Sequence, residues 1–525
     1  MKNDTNTNAA QQYEYFDVLI IGAGLSGIGA AVHLQKDSPN KSYAILEGRE
    51  AIGGTWDLFR YPGVRSDSDM YTLGYNFKPW TSPKGIADGK DIREYICEAA
   101  KEHDIEKHIR FGHKVLTSSW SSETARWTLK VQLTHSGEVK HYQCNFFLCC
   151  TGYYNYDQGY EPVFAGSENF KGDIIHPQKW DENYDYSGKK VVVIGSGATA
   201  VTLVPAMTDK AQHVTMLQRS PAYVMALPQD DPMVNGLRKV LPETWVYRII
   251  RTRNIAFSAM MYKYCKTFPN SSRRLIQKLV KKEVGEDFDM KHFTPSYNPW
   301  DERLCAVPDG DMFSVLKEKK ASIVTDHIDY FTENGIKLKS GATLDADIII
   351  TATGLDVQLF GKMKLFVDGK PFDAHEKMVY RGVLLEDLPN AGMVFGYTNA
   401  SWTLKADLIT EWMCRLLNHM DATGKKIVMP HNFDSSVEHR PFVDMQSGYV
   451  QRAMESAPQQ GSKLPWKLYQ NYALDLATLR FGKVNDETLI FSDPLPEGLK
   501  TDNTTISSAI ENEKEKEKEK EKDPA

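Results

Sequence analysis

The chain has 525 residues, 41% of them hydrophobic and 25% charged, with a formal net charge of -6 at pH 7. That balance suits a globular protein of two or three domains, and the charge is too mild to point to nucleic acid as a partner. Seven scattered cysteines without C-x-x-C spacing, a polar start over 1–16 and no run of about eighteen apolar residues argue against disulfides, export and membrane spans; a cytoplasmic location is expected.

The run Phe16-Asp-Val-Leu-Ile-Ile21 predicts a strand, and it leads straight into Gly22-Ala-Gly24-Leu-Ser26-Gly27. In G-x-G-x-x-G the first glycine permits a tight turn, the second lets a pyrophosphate approach the backbone, and the third lets helix and strand pack closely. Helix N–H groups then face the phosphates. The next predicted strand, Tyr43–Leu46, ends in Glu47. A carboxylate there accepts hydrogen bonds from ribose hydroxyls and repels a 2′-phosphate, so the ligand is FAD or NAD. The following segment decides for FAD: Gly53-Gly54-Thr55-Trp56-Asp57 continues through Tyr61-Pro62-Gly63 to Arg65-Ser66-Asp67. Such a loop can lie against a flat ring. Trp127–Leu133 alternates like a half-buried strand, and the apolar run Cys144–Gly152 reads as the strand that closes this first sheet.

A second strand, Lys190–Ile194, enters Gly195-Ser196-Gly197-Ala198-Thr199-Ala200, a G-x-G-x-x-A turn. Here the following strand, His213–Leu217, ends in Gln218-Arg219-Ser220 rather than in an acid. Arginine binds a 2′-phosphate through paired hydrogen bonds, which selects NADPH. The two nucleotide sites therefore differ in sign at the same structural position. Residues 235–283 read as helices carrying twelve Lys and Arg against Glu243 and Glu283. A solvated basic face is one reading; weak peripheral contact with an anionic membrane is the other. Leu344–Gly354 predicts a buried strand closing the second sheet. The tail around 513–522 is a Lys-Glu repeat that cannot bury a core.

These elements predict an α/β protein with two dinucleotide-binding, Rossmann-like domains and a helical insertion in the second. The expected boundaries are 1–155 and 356–495 for the two parts of the FAD domain, 156–355 for the NADPH domain with its insertion at about 230–295, and 496–525 for a charged tail.

Between the two turns, Phe170-Lys-Gly172-Asp-Ile-Ile-His176-Pro-Gln-Lys-Trp180-Asp181 matches F-x-G-x-x-x-H-x-x-x-W-D. The sequence thereby resembles the type I Baeyer–Villiger monooxygenases, and Gly53–Asp67 matches that family's second motif. Tyr61–Tyr71, Tyr297–Cys305 and Tyr397–Lys405 are similar to its ethionamide-activating subgroup. The resemblance covers roughly residues 14–490. It implies a monooxygenase that uses FAD, NADPH and O2 to turn ketones into esters or lactones and to oxidise thioethers. It also implies roles. Arg303 stands where the family keeps the arginine that stabilises its anionic oxygenating species, and Asp67 stands where an aspartate contacts that arginine and the flavin region. Arg65 and Ser66 would lie near NADP; Ser26, Thr55, Trp56, Asp57 and Val115 would contact FAD. Many relatives carry lysine where this chain has Glu302, which leaves open what else supports the 2′-phosphate. His176 and Trp180 read as elements of an interdomain link. Three other readings compete. A heteroatom monooxygenase would make no esters. A flavin disulfide reductase needs a dithiol that adjacent Cys149 and Cys150 do not supply. A non-catalytic scaffold would have no use for Arg303 and Asp67. No metal site is expected, and oligomeric state is not readable.

Overall fold

Val18–Ile21 and Val191–Ile194 are aliphatic at every position and buried throughout, the pattern of strands covered on both faces. Each lies between two parallel neighbours within its sheet. The structure, a computed structural model, describes residues 13–494 apart from 444 and 446; the Lys-Glu tail lies outside the described residues.

In the first sheet, Ile109–Arg110, Tyr43–Leu46, Glu14–Ile21 and Val139–Cys149 run parallel in that order. Ala391–Met393 extends the C-terminal end of Val139–Cys149. The N-terminal half of that strand instead pairs antiparallel with Arg126–Leu133, which pairs with His113–Ser121. Lys364–Val367 joins parallel to His113–Ser121. The first sheet thus takes strands from both sides of the second.

The second sheet is all parallel in the order Ala321–Thr325, His213–Gln218, Lys190–Ile194, Ile348–Thr351, Asp173–Ile175. Both sheets change direction of winding beside the strand that carries the glycine-rich turn, which is where doubly wound folds bind ligands. The expected single strand over Leu344–Gly354 divides in two. Thr343–Asp345 belongs to a small antiparallel sheet with Ile328–Thr332 and Gly335–Leu338, and only Ile348–Thr351 enters the parallel sheet. Asp347 lies at the division. Its carboxylate accepts from the Lys190 N–H at 2.8 Å and its carbonyl from the Asp173 N–H at 3.3 Å, so it spans the starts of three strands.

The insertion is three helices, Pro232–Leu237, Glu243–Thr267 and Pro269–Val284. Val246, Tyr247 and Ile250 enter the core of the first sheet, whereas Ile276, Val280 and Val284 enter that of the second. One element therefore braces both units. Its basic residues are not all solvated. Arg251 is buried, and its Nη1 donates to the carbonyls of Tyr71 and Gly74, each at 2.8 Å. Its Nη2 lies 3.6 Å from Asp407, which also meets His33 at 3.4 Å. Burial opposes the charge on His33, but Asp37 and Asp407 outweigh it and hold its pKa at about 9. Arg238 pairs with Glu243, Arg253 with Asp231 and Lys266 with Asp301. A buried cation that loses its partners costs several kcal/mol, so Arg251 is an anchor of the insertion, and the expectation of a uniformly solvated basic face is corrected there.

Candidate active site

Both glycine-rich turns open into one continuous cavity of about 1740 Å³. The first turn is closed by backbone contacts that only glycine allows. Gly22 has φ +105°, and a Cβ on it would stand 2.7 Å from the Cys150 carbonyl oxygen; a Cβ on Gly27 would stand 1.8 Å from the Gly22 carbonyl. Helix Leu25–Asp37 starts from Gly24 with no side-chain cap, leaving its first N–H groups for an anion. The second turn repeats this. Gly195 has φ +140° and helix Ala198–Met207 starts uncapped from Gly197. A Cβ on Gly197 would meet nothing within 4 Å, so this glycine keeps free the space in which a pyrophosphate approaches the backbone.

The acid and the base expected at the ends of the next strands both line the cavity. Glu47 is buried, and its oxygens accept from the Ala23 N–H at 2.6 Å and the Arg49 N–H at 2.8 Å. Burial raises its pKa. Arg219 and Ser220 are exposed, and Arg219 forms no hydrogen bond or ion pair with a described residue. Glu302 also lines the cavity and feels Arg219 electrostatically; burial raises its pKa and Arg219 counters that rise.

Of the other expected cofactor contacts, Gly22, Gly24, Ser26, Gly54, Thr55, Trp56, Arg65, Ser66, Val115, Ser196, Ala198 and Thr199 line the cavity as well. Gly27 and Ala200 do not. They are buried on the packing side of their helices. Asp57 does not line it either. Its carboxylate is clamped by Arg49 at 2.6 Å, Arg60 at 2.5 Å and Arg93 at 2.9 Å, so it anchors the loop that carries Thr55 and Trp56. Ser26 Oγ accepts from Trp402 Nε1 at 2.7 Å. Arg65 lines the cavity while gripping Asp311 through both terminal nitrogens, at 2.5 and 3.3 Å, and so ties the first unit's loop to the second unit.

Arg303 and Asp67 both line the cavity into which the two turns open, and each feels the other's charge. Arg303 has no hydrogen-bond or ion-pair partner among the described residues, yet it lines the cavity with Asp67, Tyr153, Tyr154 and Tyr449 around it. Tyr153 most of all, against the opposing effect of burial, and then Tyr449, Tyr154 and Asp67 hold its pKa above arginine's ordinary value; it is a permanent cation. Burial raises the pKa of Asp67, moderated first by Arg303 and then by Arg65. A cation held inside a cavity with no partner of its own is poised for an anion that comes from outside the chain.

Sequence reasoning passed over the aromatic wall beside Arg303. The hydroxyls of Tyr153 and Tyr154 lie 2.8 Å apart, and the Tyr153 ring stacks on Trp402 at 5.2 Å between centroids. Their signal was positional. Both tyrosines follow Thr151-Gly152 at the C-terminal end of a central strand, where doubly wound sheets place ligands. His176 is buried under Gly159, whose Cβ would strike its ring at 2.0 Å, and Trp180 packs edge-on to Tyr184 and Tyr186; neither lines the cavity. All seven cysteines are free.

The residues therefore suit two dinucleotides: two uncapped helix starts, an acid beside one and an unpaired arginine beside the other. Comparison with known proteins agrees. Residues 83–420 match the flavin-binding monooxygenase-like family and residues 20–78 an NAD(P)-binding Rossmann-like domain. The chain is 52% identical over 489 residues to the FAD-containing monooxygenase EthA of Mycobacterium tuberculosis, covering 93% of this chain and 100% of that one. It is 49% identical over 480 residues to the probable FAD-binding monooxygenase AlmA of Acinetobacter baylyi, covering 91% and 96%. Among solved structures its fold is similar to an oxidized steroid monooxygenase bound to NADP, with a TM-score of 0.71 at 20% identity over 91% of this chain and 100% of that one. It is also similar to cyclohexanone monooxygenase, with a TM-score of 0.70 at 18% identity over 91% and 100%.

Proposed function

The chain belongs to the flavin-binding monooxygenase-like family, and from that premise we propose that this FAD- and NADPH-dependent monooxygenase inserts one oxygen atom of O2 into ketones, giving esters or lactones, and adds oxygen to thioethers. FAD would be held along Gly22–Gly27, Glu47 and Gly54–Trp56, and NADPH along Gly195–Thr199 with Arg219 on its 2′-phosphate. Bound, the two cofactors supply what no side chain can: a hydride from NADPH and, through the flavin, two electrons to O2, one of whose oxygen atoms goes to substrate while the other leaves as water.

The chain's own residues decide where that oxygen goes. Arg303 holds a fixed positive charge where negative charge builds up on oxygen during transfer, and it needs no reorientation because no partner competes for it. The charge of Asp67 acts on Arg303 and favours the charged guanidinium in the cavity. Tyr153, Tyr154 and Trp402 wall the site and keep water from the reacting oxygen. With a ketone, the carbonyl carbon gains a bond to oxygen and the neighbouring carbon shifts from carbon to oxygen. With a thioether, sulfur gains the oxygen directly. The observation that carries this reading is Arg303, which lines the cavity shared by the two nucleotide turns without a hydrogen-bond or ion-pair partner among the described residues. The test is product analysis with one methyl ketone and one thioether: ester and sulfoxide both form under the proposal, whereas sulfoxide without ester would make the chain a heteroatom oxygenase.

A further inference from the structure

The outer side of the helical insertion is apolar where a helix facing water is ordinarily polar. On helix Glu243–Thr267, Trp245, Ile249, Ala256, Met260 and Lys263 recur at helical spacing and all are exposed, Trp245 by 56% and Met260 by 63%. Phe268, at the bend into the next helix, is 58% exposed. On helix Pro269–Val284, Leu275 and Leu279 are exposed beside a stripe of Arg274, Lys278 and Lys282. Those three cations, together with Lys239, Arg248 and Lys263, make no ion pair with any described residue. Large apolar side chains and unpaired cations on one surface element match the composition of an interfacial helix, which sinks its apolar side into the headgroup region of a bilayer and meets anionic lipid with its cations.

A second copy of the chain fits this face poorly. A two-fold interface would set the face against itself, so that the exposed cations Lys239, Arg248, Lys263, Arg274, Lys278 and Lys282 would meet their own copies. The opposite side of helix Glu243–Thr267 presents Asn254, Phe257, Ser258 and Met261 to the cavity. A surface docked on the outer side thus lies one helix width, about 10 Å, from the cavity.

We propose that the outer face of the insertion docks on an anionic lipid bilayer, and that lipophilic substrates reach the cavity from that surface. The second clause rests on the proposed oxygenation; the docking itself does not. The experiment is sedimentation of the full-length, FAD-loaded chain with vesicles of equal phosphatidylglycerol and phosphatidylcholine, or of phosphatidylcholine alone, at low and high salt. The variant replaces the outer apolar residues: Trp245→Ser, Ile249→Ser and Met260→Ser together. The parent chain should bind the anionic vesicles at least about tenfold better than the neutral ones, and less as salt rises. The triple variant should lose that binding yet keep its flavin spectrum and its rate on a water-soluble thioether. Charge reversal at Arg274→Glu and Lys278→Glu should lose binding likewise. The proposal is overturned if the parent stays in the supernatant with both vesicles, if the triple variant sediments as the parent does, or if the parent is a dimer that the triple variant splits without any vesicle binding. If neither protein oxidises the thioether, the proposed function fails while the sedimentation result still decides the docking.

Discussion

Replacing Arg303 by alanine removes a cation that lines the cavity with no hydrogen-bond or ion-pair partner among the described residues, and with it the charge that steadies the reacting oxygen. By comparison with a single lost oxyanion donor, oxygenation should fall by about 10²–10³. No described residue forms a hydrogen bond or ion pair with this side chain, so Arg303→Ala should stay folded, bind FAD and still oxidise NADPH, with hydrogen peroxide in place of ester. Lysine should rescue only in part, because its compact ammonium lacks the planar fork. Unchanged ester formation would assign the role to another cation.

Arg219 and Glu302 make a second test at the same scale. Arg219→Ala should weaken NADP+ binding by about 1.5–3 kcal/mol and leave NAD+ binding nearly unchanged. Glu302 stands close enough to Arg219 to offset part of its field. Glu302→Gln should therefore tighten NADP+ roughly fivefold, the effect of about 1 kcal/mol. Fluorescence titration with both nucleotides reads each variant, and equal changes for NAD+ and NADP+ would remove both residues from the 2′-phosphate.

Residues differ in how plainly they speak from sequence. Arg219 is legible because an arginine replaces an acid at a known offset from a glycine-rich turn. Arg303 and Asp67 are legible only through resemblance, since a lone arginine in a loop carries no spacing of its own. Asp57 adjoins the flavin loop in sequence, and what sequence does not reveal is that three arginines hold its carboxylate. The tyrosines beside Arg303 were missed because aromatic residues after a strand more often pack a core than line a site.

At the scale of elements, the strand–turn–helix openings were legible because glycine spacing and backbone geometry coincide. The second turn separates two jobs of glycine. Gly195 is required by the fold, since it combines φ +140° with a Cβ position 2.3 Å from the Ala352 carbonyl; Gly195→Ala should cost roughly 1–3 kcal/mol or more of stability. Gly197 has an ordinary φ of -81° and an open Cβ position. Gly197→Ala should leave stability within about 0.5 kcal/mol of the parent while weakening NADP+ binding, because the methyl group takes the space kept for the pyrophosphate. Thermal unfolding beside nucleotide titration reads both, and a Gly197→Ala chain that binds NADP+ as before would show that the nucleotide lies elsewhere. The basic insertion was legible as helices but not in its placement. Its charge count conceals Arg251, whose partners Tyr71, Gly74 and Asp407 are distant in sequence.

Across the whole molecule, the shared cavity follows from the order of the sheets. The first sheet is interrupted in sequence by the second, so its closing strands return only after residue 364. The polypeptide thereby crosses between the two units, and Arg65 to Asp311 links them again from the side of the first turn. Pattern alone locates both turns but cannot say that they open into one cavity, because that depends on pairings such as Ala391–Met393 with Val139–Cys149 and on an insertion that enters both cores. Arg303 in the cavity that both turns line is the basis for reading the chain as an oxygen-transfer enzyme. The most direct measurement is to supply the FAD-loaded protein with NADPH, isotopically labelled O2 and a medium-chain methyl ketone, and to weigh the product. The account predicts an ester whose new oxygen carries the label, one atom for each NADPH consumed. NADPH oxidation that yields only labelled hydrogen peroxide, with the ketone untouched across a panel of chain lengths, would contradict it.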